Sequence, residues 1–180
     1  SYFENVLLND SSYAAAKYFN DPSYLKMGGK PVLFLYNLPY LCLNLTEPTV
    51  KSMITDLREN LANNVYLVGD LGFGPNRTML GYNVLDLVGV LDAATLYLFS
   101  DPVHRWNGVL QDARTYFPDW QSYMALQGKQ FIPDAWPGHD NGTYTLPVNV
   151  SAFSDFVQIA KNNVDNNGIV MITSWNEWNE

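Results

Sequence analysis

Cysteine is nearly absent: Cys42 is the only one in 180 residues. That excludes an internal disulfide and a thiolate cage around a metal. Histidine is almost as scarce. His104 and His139 lie far apart, each without a partner at ligand spacing, so no metal and no cofactor are expected. Basic residues number 10 against 18 acidic ones, for a net charge of −8, and they are scattered singly. A protein that tracks a phosphate backbone needs the opposite balance, so nucleic acid is not an expected partner. Long apolar runs are missing as well. The longest candidate, around 84–91, is interrupted by Asp86 and Gly89 and falls far short of the ~18 residues of a membrane span. There is no initiator Met, no signal peptide, no repeat of fixed period and no linker, so residues 1–180 are read as a single domain.

What remains is globular: 47% hydrophobic residues with 16% charged ones can fill a core. Aromatics make up 14%, with twelve Tyr and five Trp, which suits a carbohydrate surface and equally an ordinary large core. Five N-x-S/T sequons, at Asn9, Asn44, Asn76, Asn141 and Asn149, point to a glycosylated protein at the cell surface or outside the cell. All five are expected in loops or connections outside the core.

Apolar runs recur at 31–37, 65–69, 93–99, 130–136 and 168–173, each reading as a strand. Helical patterns lie between them. Thr46 and Pro48 announce a helix carried by Val50, Met53, Ile54, Leu57 and Leu61. Residues 103–127 predict one or two helices broken at Pro118, and 151–164 a helix capped at Ser151. Residues 78–91 stay ambiguous between helix and loop, and 137–147 read as a long loop. Strand and helix thus alternate five times, and the strands are apolar on both faces, as in a parallel sheet covered by helices. The opening 1–21 reads as a connecting loop and short helix. The chain also stops on its richest motif. Both favour part of an eight-stranded barrel over a complete open sheet.

That motif is Trp175-Asn176-Glu177-Trp178-Asn179-Glu180, placed directly after the last apolar run. The C-terminal ends of barrel strands are where such folds hold their chemistry. Two carboxylates among indole rings suit glycosidic bond cleavage, with one acid, one base and apolar faces for sugar rings. If the chain turns helical after Trp175, Glu177 and Glu180 share a face with Cβ atoms about 5–6 Å apart. If it stays extended, the pair points to opposite sides. Softer candidates at the same mouth are Tyr97, Trp136, His139 and Asp140, as hydrogen-bonding or stacking groups for a sugar. A core tyrosine explains Tyr97 equally well, and Asp140 beside Asn141-Gly142 is by default a turn former.

The segment 19–36, FNDPSYLKMGGKPVLFLY, resembles the "dPsYlkidGKPVlfiY" segment of the glycoside hydrolase family 99-like superfamily, which holds the endo-α-mannosidases and WbsX-like proteins. Pro137-Gly138-His139-Asp140-Asn141 is similar to that group's "PG-x-D-N/D" loop, and residues 175–180 to its "WNEW-x-E-G" motif. The resemblance implies an α/β fold, the C-terminal portion of a (β/α)8 TIM-type barrel with about five βα units. It also implies a metal-free retaining hydrolase of α-mannose-like oligosaccharides or polysaccharides. In that group the first Glu deprotonates the sugar's 2-hydroxyl to give a 1,2-anhydro sugar, and the second protonates the leaving oxygen. By position these are Glu177 and Glu180, with Trp175, Asn176 and Trp178 as sugar contacts. Asn179 departs from the residues usual at its place.

Two other readings stay open. One is a non-catalytic, glycan-binding or structural barrel domain of a glycosylated surface protein. The other keeps hydrolysis but takes its nucleophile from Asp70 or Asp134, because Glu4, Glu47 and Glu59 end no strand.

Overall fold

The computed structural model describes residues 2–72, 84–97, 105–140, 145–166 and 168–173. Its centre is a five-stranded sheet in the order β1 (Lys26–Met27), β2 (Lys30–Leu35), β3 (Tyr66–Asp70), β4 (Ala93–Thr95) and β5 (Gln130–Ile132). β1 turns antiparallel onto β2 through Gly28 and Gly29, both at positive φ, which only glycine adopts without strain. β2 to β5 are parallel, with Val32 opposite Tyr66, Val68 opposite Ala93, and Ala93 opposite Gln130. Beyond Pro133 the chain continues as β6 (Asp134–Ala135), which pairs in parallel with β9 (Met171–Ile172). The run read as one strand over 130–136 is therefore two, because proline supplies no N–H to a ladder and interrupts it.

Strand parity separates the two faces of this sheet. Leu33, Leu35, Leu67, Ala94 and Phe131 face a core shared with α3 (Glu47–Asn60), α4 (Arg105–Leu126) and α5 (Val150–Lys161). Val32, Val68, Ala93 and Ile132 point the other way, joined by Tyr66, Ile169 and Met171, and no helix residue belongs to that cluster. Among the described residues, helices thus cover one face only. The other is the concave inner face, and Phe34 on it is 40% exposed.

Several helices differ from the sequence expectation. The opening is α1 (Tyr2–Tyr18), a helix of 17 residues and no loop. Within it the Ser11 and Ser12 hydroxyls both donate back to the Leu8 carbonyl, which satisfies them inside the helix. α1 lies on α3, where the Asn60 amide donates to Ser12 Oγ at 2.8 Å. α4 runs unbroken through Pro118. Proline inside a helix costs roughly 3 kcal/mol, and burial of Phe117, Trp120 and Met124 on either side of it offsets that penalty.

α5 starts one residue earlier than read, with Asn149 and not Ser151 as its cap: Asn149 Oδ1 accepts from the Ala152 amide at 3.0 Å. Residues 84–90 of the ambiguous stretch form a 3₁₀ helix, Val84–Val90. The 137–147 stretch contains a short hairpin, β7 (His139–Asp140) against β8 (Thr145–Leu146). The 93–99 strand is Ala93–Thr95 alone among the described residues. The last apolar run is shorter and less buried than expected, with Ile172 47% exposed. Among the described residues no helix is long and apolar enough to cross a membrane.

Candidate active site at the C-terminal ends of the strands

The inner face changes character along the strands. Its lower layer is the apolar set Val32, Val68, Ala93 and Ile132. Two residues further on, at the C-terminal ends, the same face carries Asp70 on β3, Thr95 on β4, Asp134 on β6 and Thr173 after β9, all buried. Period-two alternation dictates this: a strand that turns Val68 inward must turn Asp70 inward as well.

Asp70 ties three strand ends together. Its Oδ2 accepts from the Asn37 amide after β2 at 3.0 Å. Its Oδ1 accepts from the amides of Gly72 at 3.1 Å and of Tyr97 after β4 at 3.0 Å. Burial raises its pKa from the ordinary value, and the three amide donors partly offset that. Asn37 reaches this position in the left-handed region, φ 51° and ψ 47°, which asparagine tolerates better than most residues, and it caps α2 (Leu38–Asn44).

Asp134 is fully buried, and the Thr173 hydroxyl donates to its Oδ2. Its Oδ1 has no hydrogen-bond partner among the described residues, and neither does Thr95 Oγ1. Burial pushes the Asp134 carboxyl up to about 7. Thr173, the Ala135 amide and the Trp136 indole favour its charged form, while the nearby Asp70 opposes it.

Of the candidates read from sequence, Tyr97 stands at this mouth, its ring edge-on to Tyr36 at 4.8 Å between centroids. Tyr36 is 60% exposed and was not singled out by sequence. Trp136 is only 3% exposed. Its indole N–H donates to the Tyr97 carbonyl at 3.0 Å and its ring packs edge-on to Phe156, so it braces the mouth from within the core. His139 is half-buried near Trp136, and its Nε2 lacks a partner among the described residues. Asp140 is exposed and accepts from the Thr145 hydroxyl across the hairpin at 3.2 Å.

Trp175, Asn176, Glu177, Trp178 and Glu180 lie outside the described residues, as do Asn76 and Asn141. Asn9 and Asn44 are exposed but sit in helices, α1 and the end of α2, where loops were expected; Asn149 is exposed as well. Among the described residues no group of three or more His, Cys, Asp or Glu could hold a metal. Cys42 is buried, and burial, with Glu47, pushes its thiol up to about 11.

The residues that sequence reading missed are Thr95, Thr173 and Tyr36. The signal was available: each continues the inward alternation of its strand, by one step past an apolar inner-face residue or by two.

No protein-family model and no curated protein matches the sequence. Solved structures do match the fold. A glycoside hydrolase-like protein superposes with a TM-score of 0.68 at 21% identity, over 98% of this chain and 51% of that one. The family 99 endo-α-mannosidase of Bacteroides thetaiotaomicron superposes with a TM-score of 0.63 at 17% identity, over 97% of this chain and 50% of that one. A second structure of that enzyme, in complex with bis-tris-propane, also gives 0.63, over 98% and 53%. The chain therefore spans about half the length of the structures it matches. In fold it is a part of a (β/α)8 barrel similar to the glycoside hydrolase-like proteins, the likeness to which its motifs pointed.

Proposed function

We propose that this chain forms part of the barrel of a retaining glycosidase acting on α-mannose-like glycans. The observation that carries the reading is the polar layer on the inner face. Asp70, Thr95, Asp134 and Thr173 line the strand ends, and the last of them leads in sequence directly into the motif with two glutamates and two tryptophans. The likeness to glycoside hydrolases supplies the reaction class.

In this reading Glu177 takes the proton of the sugar's 2-hydroxyl, whose oxygen attacks the anomeric carbon. Glu180 protonates the glycosidic oxygen as its bond to that carbon breaks, leaving a 1,2-anhydro sugar. Glu180 then takes a proton from water, the hydroxide opens the anhydro ring at the anomeric carbon, and Glu177 returns its proton to the 2-oxygen. Net retention follows from the two displacements. A weak base working on a hydroxyl needs a raised pKa, which flanking tryptophans could provide by desolvation. The exposed Tyr36, edge-on to Tyr97, offers an apolar face for a neighbouring sugar.

Glu180→Gln and Glu177→Gln in the natural protein test the assignment. Glu180→Gln should abolish cleavage of unactivated α-mannosides while sparing aryl glycosides with good leaving groups. Glu177→Gln should damage both, because the first displacement needs its base whatever leaves. Small and equal effects on both substrates would refute the pair.

A second reading is a glycan-binding or structural barrel domain, set at the cell surface or outside the cell. Asn9, Asn44 and Asn149 favour that setting, since all three asparagines are exposed. Glycan binding without cleavage by the wild-type protein would select it.

A further inference from the structure

Tyr36 and Tyr97 meet edge to edge, their ring centroids 4.8 Å apart and their planes at 77°. They follow β2 and β4, which are not neighbours, since β3 lies between them in the sheet. Adjacent strands stand about 4.8 Å apart, so the two backbones start roughly 10 Å from one another. Tyr36 is 60% exposed, so burial in a core does not hold its ring in place. The pair depends on how the strand ends are set.

Asp70, the last residue of β3, stands in the gap between them. Its Oδ2 accepts the Asn37 amide, the N–H of the peptide that joins Asn37 to Tyr36, at 3.0 Å. Its Oδ1 accepts the amide of Tyr97 itself at 3.0 Å. The third donor, the Gly72 amide at 3.1 Å, closes a turn in the loop that follows Asp70. From the far side the Trp136 indole donates to the Tyr97 carbonyl at 3.0 Å, so the backbone of Tyr97 is tied at both its N–H and its C=O. On the Tyr36 side, Asn37 stands at φ 51° and ψ 47° and caps α2, its Oδ1 accepting the Tyr40 amide at 3.4 Å. Donors arriving from three chain segments suit an acceptor with two oxygens and no N–H of its own. A carboxamide here would turn an N–H toward one of the amides. That accounts for a carboxylate in a place where burying a charge is costly.

We propose that Asp70 is a positioning residue for substrate: by holding the Asn37 and Tyr97 amides it sets the Tyr36–Tyr97 pair as a preformed platform for one sugar unit of the glycan. The choice of an α-mannose-like sugar rests on the glycosidase reading. The hold of Asp70 on the two tyrosines does not. An edge-on pair keeps an aromatic face for the C–H bonds of a sugar ring, and setting both residues beforehand spares the cost of ordering them on binding. A platform of this kind grips ground state and transition state alike, so it acts on binding and not on the chemical step.

The test uses the natural protein, with kcat measured on an α-mannotriose and Kd on its thio-linked analogue, which resists cleavage. Asp70→Asn should weaken Kd about tenfold, the most an aromatic pair of this kind contributes, and leave kcat little changed. Tyr36→Ala should weaken Kd similarly. In the Tyr36→Ala background, Asp70→Asn should add little, because both changes remove the same platform. A general structural role for Asp70 would instead weaken binding by the same factor in both backgrounds, and that result overturns the proposal. So does an unchanged Kd, or a loss confined to kcat.

Should Asp70→Asn fail to fold, the wild type decides by NMR. On titration with the thio-linked sugar, the Asn37 and Tyr97 amides and the Asp70 carboxyl carbon should shift along one binding curve. A sugar that moves none of them, or the amides without the carboxyl, overturns the proposal. A wild-type protein that binds the analogue at this platform but cleaves no α-mannoside sinks the glycosidase reading and leaves the role of Asp70 standing.

Discussion

Two buried aspartates on the inner face show how one residue type meets two environments. Asp70 accepts three backbone amides, which stand in for the water it has lost. Burial outweighs the donors around Asp134, and Asp70 adds to it, so Asp134 holds its proton up to about 7 where an unperturbed aspartate has lost it near 3.8. Between those values the folded protein binds a proton that the unfolded chain has released, so rising pH favours unfolding. Each pKa unit is worth about 1.36 kcal/mol, so a shift of this size makes the stability lost between pH ~4 and ~7 about 4 kcal/mol at most. Stability is full below this window and levels off above it. Urea unfolding at a series of pH values should show that decline in the wild type. Asp134→Asn, neutral throughout, should flatten most of it, leaving the smaller share from Asp70, whose shift has the same sign. An undiminished slope in Asp134→Asn would place the titration elsewhere.

Among the elements, α5 joins a structural role to a surface one at a single residue. Asn149 caps the helix through Oδ1, whereas a glycan on its sequon would attach at Nδ2, so the two uses do not compete. The native protein from a glycosylating source should therefore carry glycan at Asn149, and at the exposed Asn9 and Asn44. Asn149→Asp should remove one glycan mass and keep helix stability. Asn149→Ala should remove the same mass and lower unfolding free energy by about 1 kcal/mol. Intact mass with chemical denaturation reads both, and a protein bare at all three positions would remove the case for a surface location. α4 shows a different balance, since its Pro118 ends no helix. Local propensity argued for a break there, and the buried faces of Phe117 and Trp120 outweighed it.

At the scale of the molecule, one face of the sheet is roofed by helices and the other is left uncovered by the described helices. Phe34 and Ile172 lie exposed, and the outermost described strands, β1 and β9, have unpaired sides. Barrels remove such edges by closure. Residues 1–180 expressed alone should therefore self-associate or unfold with poor cooperativity, and light scattering with thermal melting measures this. A sharp, reversible, monomeric transition would mean instead that this sheet is stable with its inner face open.

The sequence alone determined the order of strand and helix, because apolar runs and amphipathic spacing are local signals. It also indicated the family likeness, because Pro137-Gly138-His139-Asp140 and the 175–180 motif are contiguous words. Boundaries went astray for different reasons: burial outweighed a local preference at Pro118 within α4, whereas at Pro133 the missing N–H, a local property, splits 130–136 into β5 and β6. What only the tertiary structure decided is the company that distant residues keep. Nothing in the spacing of Asp70, Thr95, Asp134 and Thr173 says that they meet. They do so because parallel strands in register bring their C-terminal ends to one rim, and alternation turns those four side chains to the same face. Trp136 was legible as a residue near the mouth but not as a buried brace, since burial is fixed by the packing of α5 behind β6 and not by the sequence around the tryptophan.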